Sequence, residues 1–391
     1  MVEKTCRRED FLAFSPPAIG EEEVAAVTEA LRSGWITAGP RVREFEQVFA
    51  ERVGAPAALA VSSCTAALHL ALCAHGIGPG DEVIVPTMTF AASANVVEHV
   101  GARPVLVDVD ADTLNLSVEA VSRAITTHTR AVMVVHYAGH PVDLDGFRSL
   151  CNQHRVELIE DAAHAVASAW KGKPVGSGEN MAAFSFYATK NLTTGEGGML
   201  TGAPELIERV RPLALHGMSR DAWRRYNKGE SWFYEIVEPG YKYNLTDPAA
   251  AMGLVQLAKL EAMQARREEV ADIYDSAWSG SGLVRIPVVR KEVVSARHLY
   301  PVRLVIERLS INRNRFIEEL SRRNIGTSVH FIPLHRHPYY RDRYGYRPQA
   351  FPVAEDAYRR LVSLPLHPGL SAGDVEDVVG AVNNVLERFA L

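Results

Sequence analysis

Apolar residues first recur at helical spacing just after Pro16 and Pro17. Val24, Val27 and Leu31 follow the acidic start Glu21, Glu22, Glu23, which predicts a helix stopping at Ser33 and Gly34. Residues 35–40 (WITAGP) read as a turn-rich segment, either a connector or the wall of a site, and a second amphipathic helix spans 42–53. From residue 57 the pattern changes to short apolar runs alternating with helical ones. Strands are predicted at 58–61, 82–86, 104–109, 131–137 and 156–160, and helices at 62–76, 91–100, 117–126 and 143–154. Strands separated by helices in this way predict an α/β fold with a mostly parallel sheet and right-handed crossovers. Two further apolar runs, 184–187 and 199–201, flank a Gly-rich turn. A long helix over 248–278, apolar in its first half and charged in its second, then bridges into a smaller carboxyl-terminal part. That part holds a strand at 300–305, a helix at 314–323, a stretch at 327–332 and a last helix at 372–389. The division predicted is residues 1–255 for an N-terminal arm and large domain, and 256–391 for the bridging helix and small domain.

Composition narrows the class without changing this outline. Hydrophobic residues make up 47% and charged ones 23%, which sets disordered classes aside. A formal net charge of -5 gives no basic footprint for nucleic acid. Cys6, Cys64, Cys73 and Cys151 stand far apart, without metal spacing or the density of a disulfide framework, so a reducing compartment is expected. No apolar run reaches about 18 residues, and the charged N-terminus lacks the apolar segment of a signal peptide. The expectation is a cytoplasmic chain with no metal site and no nucleic-acid or membrane partner.

Candidate chemistry gathers at strand ends. Lys190 closes the apolar run 184–187 at the mouth of a buried hairpin-like element. Desolvation disfavours the ammonium, so such a lysine can lose its proton near neutral pH and attack a carbonyl to form a Schiff base. A lysine taken at random is a solvated loop residue, so the neighbours decide. The strand 156–160 delivers Glu160, Asp161, Ala162, Ala163 and His164 to the same carboxyl edge, where ligands bind in parallel sheets. An isolated acid there commonly caps a helix; here one Gly-containing connection, 165–181, separates Asp161 from the lysine run, so both side chains can reach one pocket. The helix from residue 62 opens on hydroxyls, Ser63 and Thr65, which suit either a phosphate at a helix N-terminus or ordinary capping. Phe90 sits at another strand-to-helix junction, as core or as a stacking platform.

With these residues in hand the chain resembles a known family. VSSCTAALHLAL, GDEVIVPTMTFAASANVV, VHYAG, IEDAAHA, FSFYATKNLTTGEGG, PGYKYNLTDPAAAMGLVQL and the late stretch around TSVHFIPLH occur in the order seen in the DegT/DnrJ/EryC1/StrS sugar aminotransferases. The resemblance extends over residues 15–370 and is nearest to enzymes that aminate a UDP-4-keto-pentose, with 4-keto-6-deoxyhexose enzymes close by. It implies a fold type I pyridoxal phosphate enzyme like aspartate aminotransferase, with a seven-stranded sheet, active as a homodimer with shared sites. L-glutamate would convert the cofactor to pyridoxamine phosphate, and the amine would pass to a keto-sugar nucleotide in a ping-pong cycle. By position, Lys190 matches the Schiff-base lysine, Asp161 the carboxylate at the pyridinium nitrogen, and Phe90 the stacking aromatic. Ser63, Cys64 and Thr65 match the phosphate segment, and Ser185 a phosphate-binding hydroxyl. His164 stands where many members have Gln beside the phenolic oxygen, and His330 matches a substrate-side histidine. Two positions depart from the family pattern. Lys242 replaces the asparagine that reaches the neighbouring subunit's phosphate, as a charge instead of a neutral donor. Cys64 replaces a small Gly or Ala, which backbone N–H contacts tolerate.

Other readings carry their own signatures. A dehydratase of the same family has histidine at the lysine position. A cyclitol aminotransferase shares the motifs, and a non-catalytic pyridoxal phosphate sensor would carry a DNA-binding helix pair or a basic tail. Residues 336–347 (RHPYYRDRYGYR) read as a solvated loop, or as cations and aromatics for a sugar nucleotide.

Overall fold

The computed structural model describes residues 8–219 and 233–391; Cys6 and the first part of the N-terminal arm lie outside them. Helices α1 (Glu21–Ser33) and α2 (Pro40–Val53) lead into strand β1 (Ala57–Val61). There follow α3 (Cys64–Ala74), β2 (Glu82–Pro86), α4 (Ala92–His99), β3 (Arg103–Val107), α5 (Val118–Ala124), β4 (Thr129–Val135), α6 (Leu144–His154) and β5 (Glu157–Asp161). The connection after β5 contains two short strands, β6 (Ala169–Trp170) and β7 (Lys173–Pro174), before β8 (Met181–Ser185), β9 (Gly198–Gly202) and α7 (Pro204–Val210).

The main sheet has seven strands in the order β1-β9-β8-β5-β4-β2-β3. Only β9 runs against its neighbours. The inner strands are apolar without alternation because helices cover both faces, as a parallel sheet requires. Phe45 and Phe49 of α2 lock onto Phe184 and Phe186, with centroids 5.0–5.4 Å apart and mostly edge-on, which ties the sheet to α2.

Helix α8 (Asp247–Trp278) runs for 32 residues. Its first residue, the buried Asp247, accepts from the backbone N–H groups of Gly39, Val42 and Arg41 at 2.7, 3.1 and 3.2 Å. One carboxylate so caps the start of α2 across 205–208 residues of sequence, with the favourable sign for a helix N-terminus. Residues 35–40 supply one of these amides, from Gly39, and Trp35 and Thr37 among them also line a cavity. Beyond α8 come β10 (Val284–Arg285), β11 (Val293–Val294), β12 (Tyr300–Leu304), α9 (Arg313–Ser321), α10 (Pro338–Tyr344), α11 (Pro352–Arg360), β13 (Leu361–Leu364) and α12 (Ala372–Arg388). Strands β10-β12-β13 form a second sheet, β11-β6-β7 a third. The stretch 327–332 forms no strand; it meets β13 at the bridge between Ser328 and Ser363 and through His330, which also reaches Ser363.

Residues 336–347 correct the loop expectation. Most of them form α10, with Pro338 at its first position and Gly345 at φ 66° ending it. The tyrosines serve the helix's own packing: Tyr340 donates to Asn95 and Tyr344 to Glu98, both on α4.

Candidate active site

Three strand ends and one helix start converge at the carboxyl edge of the sheet. Asp161 is the last residue of β5 and only 5% exposed. Ser93 Oγ, in the first turn of α4, donates to its Oδ2 at 2.7 Å, and the Ala163 N–H donates to Oδ1 at 3.1 Å. Thr89 Oγ1 lies 2.9 Å from Ser93 Oγ. Since the serine proton is spent on Asp161, the threonine is the donor of that second bond. Burial raises the Asp161 carboxyl above its usual range, while Ser93, Ala163 and the charge on Lys190 pull it back.

Lys190 follows β8 on a turn in which its N–H donates to the Tyr187 carbonyl at 2.9 Å. The turn is held from both sides: Phe186 donates to the Gly197 carbonyl and accepts from Thr194, each at 2.9 Å. Lys190 keeps some solvent contact, yet burial around its amine lowers the ammonium to about 8, against the opposing pull of Cys64 and Asp161. An amine at that value carries a substantial unprotonated fraction near neutrality.

Ser63 caps α3, its side chain accepting from the Ala66 N–H at 3.1 Å, a cap worth about 1 kcal/mol. Capping and anion binding are compatible here, because the next amides, on Cys64 and Thr65, have no intrahelical acceptor. Gly198 of β9 passes so close that a Cβ would sit 2.5 Å from the Ser63 carbonyl carbon and 2.6 Å from the Cys64 nitrogen. The same glycine is in register with Val61 on one side and Ser185 on the other, so Ser185, buried at the end of β8, lies beside the helix start. Cys64 is buried; its Sγ is 3.4 Å from the Ala183 carbonyl oxygen and 4.0 Å from Asp161 Oδ1, and burial keeps the thiol protonated.

Phe90 is 64% exposed, which decides against a core role; its ring tilts against Phe331 with centroids 6.1 Å apart. His164 is buried, accepts from the Ala138 N–H at its Nδ1 (3.3 Å) and stacks on Phe331 at 5.8 Å. Burial first, then the neighbouring Lys190, hold its imidazole well below the usual range. His330 stacks on Phe14 at 5.5 Å with its Nδ1 2.9 Å from Ser363 Oγ, and burial beside Lys190 lowers it to about 4.

Lys242 stands apart from this cluster. It is exposed, donates to Asn244 Oδ1, and lines a separate cavity of about 510 Å³ with Trp35, Arg43, Arg211 and His216. Sequence reasoning did not find Ser93, Asn191, His298 or Phe331. Of these, Ser93, Asn191 and Phe331 lie within stretches that carry the family resemblance, whereas His298 lies outside them.

The donor set fits pyridoxal phosphate. A buried carboxylate with two donors behind it suits a pyridinium, an exposed aromatic face suits a flat ring, a low-pKa amine suits an aldehyde, and the Gly198 cradle at a helix start suits a phosphate. Among the described residues no helix is long and apolar enough to cross a membrane.

Comparison with known proteins agrees with this chemistry. An uncharacterised protein of Methanocaldococcus jannaschii is 50% identical over 382 residues, covering 97% of this chain and 99% of the relative. The spore coat polysaccharide biosynthesis protein SpsC of Bacillus subtilis is 48% identical over 383 residues, covering 97% and 98%. A putative sugar aminotransferase of Streptococcus pneumoniae, solved in its PMP form, superposes with a TM-score of 0.91 at 37% identity, over 96% of this chain and 99% of that one. The cofactor of this fold is thus pyridoxal phosphate and its amine form. Residues 17–383 match the model of the DegT/DnrJ/EryC1/StrS aminotransferase family, and the chain belongs to that family of pyridoxal phosphate-dependent sugar aminotransferases.

Proposed function

We propose that this enzyme transfers the amino group of L-glutamate to a nucleotide-linked 4-keto sugar, a pentose or a 6-deoxyhexose, in two half-reactions at the site built on Asp161 and Lys190. The observation that carries the reading is the placement of these two groups at the ends of neighbouring strands, Asp161 closing β5 and Lys190 on the turn after β8: a buried carboxylate fixed by Ser93 and Ala163, and an amine lowered to about 8. Pyridoxal phosphate, when bound, supplies an electron sink for the carbanion at the amine-bearing carbon. Asp161 holds a proton on the ring nitrogen by presenting a carboxylate to it. Lys190 would hold the aldehyde form and would serve as the base that moves a proton at the substrate's amine-bearing carbon. Phe90 would face the ring, His164 would donate to the phenolic oxygen, and Ser63, Cys64, Thr65 and Ser185 would hold the phosphate. His330 serves the sugar side.

On this reading two copies share their sites, and Lys242 of each reaches the other's phosphate. The motifs 135–139, 159–165 and 240–247 favour the UDP-4-keto-pentose enzymes within the family, and residues 1–255 carry the cofactor while 256–391 form the small domain. The match to a sugar aminotransferase and to a polysaccharide biosynthesis protein supports a sugar acceptor over a cyclitol.

The test is spectral and then preparative. Purified protein loaded with pyridoxal phosphate should absorb in the visible, bleach on L-glutamate with release of 2-oxoglutarate, and regain the band on adding the right member of a panel of keto-sugar nucleotides. Turnover retained by Lys190→Ala would remove the role given to that residue.

A further inference from the structure

Behind the cofactor-facing residues lies a second buried histidine that no step above uses. His298 is 5% exposed and sits on the segment between β11 and β12. Its Nδ1 is 2.9 Å from Oδ1 of Asn191, the residue after Lys190. The Asn191 amide is oriented from its other end, where Nδ2 donates to the Ala296 carbonyl at 2.6 Å and to Gln264 Oε1 at 3.3 Å. Its oxygen must then accept, so His298 carries its proton on Nδ1. His164 is the opposite tautomer: its Nδ1 accepts from Ala138, which leaves the proton on Nε2. The two rings pack with centroids 4.4 Å apart.

The frame around His298 is fixed by backbone bonds to the large domain and by side chains from α8. His298 N–H donates to the Ala138 carbonyl at 3.1 Å and Ala296 N–H to the Gly139 carbonyl at 3.0 Å. Gln264 donates to the Ser295 carbonyl at 3.3 Å, while the buried Arg267 donates to the carbonyls of Leu366 at 2.7 Å and His298 at 3.5 Å. The groups that face His298 are therefore His164, Asn191, Lys190, Arg267 and His330, with no carboxylate among those that perturb it. Burial first, then the neighbouring imidazole of His164 and the charges on Lys190 and Arg267, keep it neutral.

We propose that His298 is a positioning residue for transamination: through Asn191 it fixes the turn that carries Lys190, and by packing on His164 it keeps that ring's Nε2–H presented to the cofactor. The proposal rests on the cofactor-facing role given to His164 and Lys190 above, and its test separates the two. In the full chain without cofactor, ring nitrogen NMR should show His298 protonated on Nδ1 and His164 on Nε2, and His298→Asn should abolish the single tautomer of His164. In the loaded enzyme, His298→Phe, which keeps a ring but loses the donor, should lower kcat about tenfold while KM for the sugar nucleotide moves less than twofold. It should also shift the pH midpoint of the bound cofactor's visible band. A His298 protonated on Nε2 in the unmodified chain overturns the proposal whether or not any sugar is turned over. So does a His298→Phe enzyme that loses thermal stability but keeps kcat and the midpoint, since that outcome is packing alone.

Discussion

Ser93 Oγ reaches Oδ2 of Asp161 at 2.7 Å from the helical layer, so the acid at the end of β5 is held by a group from outside the sheet. A hydrogen bond to a buried carboxylate is worth roughly 1.5–3 kcal/mol, and this one opposes the upward push of burial on Asp161. Ser93→Ala therefore moves the Asp161 carboxyl further up. The acid limb of kcat/KM should move to higher pH, with a loss of about tenfold at pH 7 that shrinks toward pH 9. Ser93→Thr, which keeps the hydroxyl, should restore the profile.

The same burial makes a stability prediction for Asp161 itself. Its folded carboxyl is raised, so its contribution to stability is fully present below the unfolded value and is lost as pH rises through the folded one. Asp161→Asn removes that loss and can keep a bond to Ser93. In the cofactor-free chain the variant should melt about 1–2 °C above the parent at pH 7, with the difference closing below pH 4. Its turnover should fall by about 10²–10³-fold.

How much of this was legible in the sequence depended on whether the signal was local. Strands β2 and β4 carry unbroken apolar runs because both of their faces are covered, β5 carries a shorter one, and Asp161 and Lys190 stood out as charges following such runs. Strands β6, β7 and β11 have two residues each and no period to detect. Helix α10 is polar and aromatic on most sides, yet Pro338 and Gly345 bracket it and could have been used. Ser93 lies within the motif 80–97, yet nothing in the run ASAN marks its role, since it looks like any residue near a helix start. Its role arises only because α4 crosses the end of β5, 68 residues away.

The arginines of α10 give a prediction that separates scaffold from substrate contact. Arg341 pairs with Asp342 and Arg343 with Glu98, both arginines largely exposed. Exposed pairs of this kind are worth about 0–1 kcal/mol and leave no bare charge over a site. Arg341→Ala and Arg343→Ala should each leave KM for the sugar nucleotide within about twofold, measured by initial rates at saturating glutamate.

Gly198 is the position where the cradle has no slack. A methyl group there would meet backbone atoms of Ser63 and Cys64 at 2.5–2.7 Å, and backbone cannot rotate away as a side chain can. Gly198→Ala should push β9 from the start of α3, lower pyridoxal phosphate affinity by at least about tenfold and reduce the melting temperature by several degrees. Equilibrium dialysis of the cofactor reads the first effect. Ser63→Ala, which removes only the cap, should cost about 1 kcal/mol of stability with a much smaller change in affinity.

Lys190 is the group whose titration should be visible directly. Its ammonium is lowered to about 8 by burial, so below that pH the fraction able to attack the cofactor's aldehyde falls tenfold per unit. The rate at which the cofactor-free chain develops the visible band should rise with pH and level off above about 8. The linkage has the matching sign. A lysine of lowered pKa costs stability while it is protonated in the fold, and that cost is relieved as pH rises from about 8 toward the unfolded value. Lys190→Met removes a buried ammonium at pH 7 and should raise the melting temperature of the cofactor-free chain by about 2 °C, with the gap narrowing by pH 10. A variant no more stable than the parent at pH 7 would mean that the amine is solvated in solution, and the low pKa assigned to it would not hold.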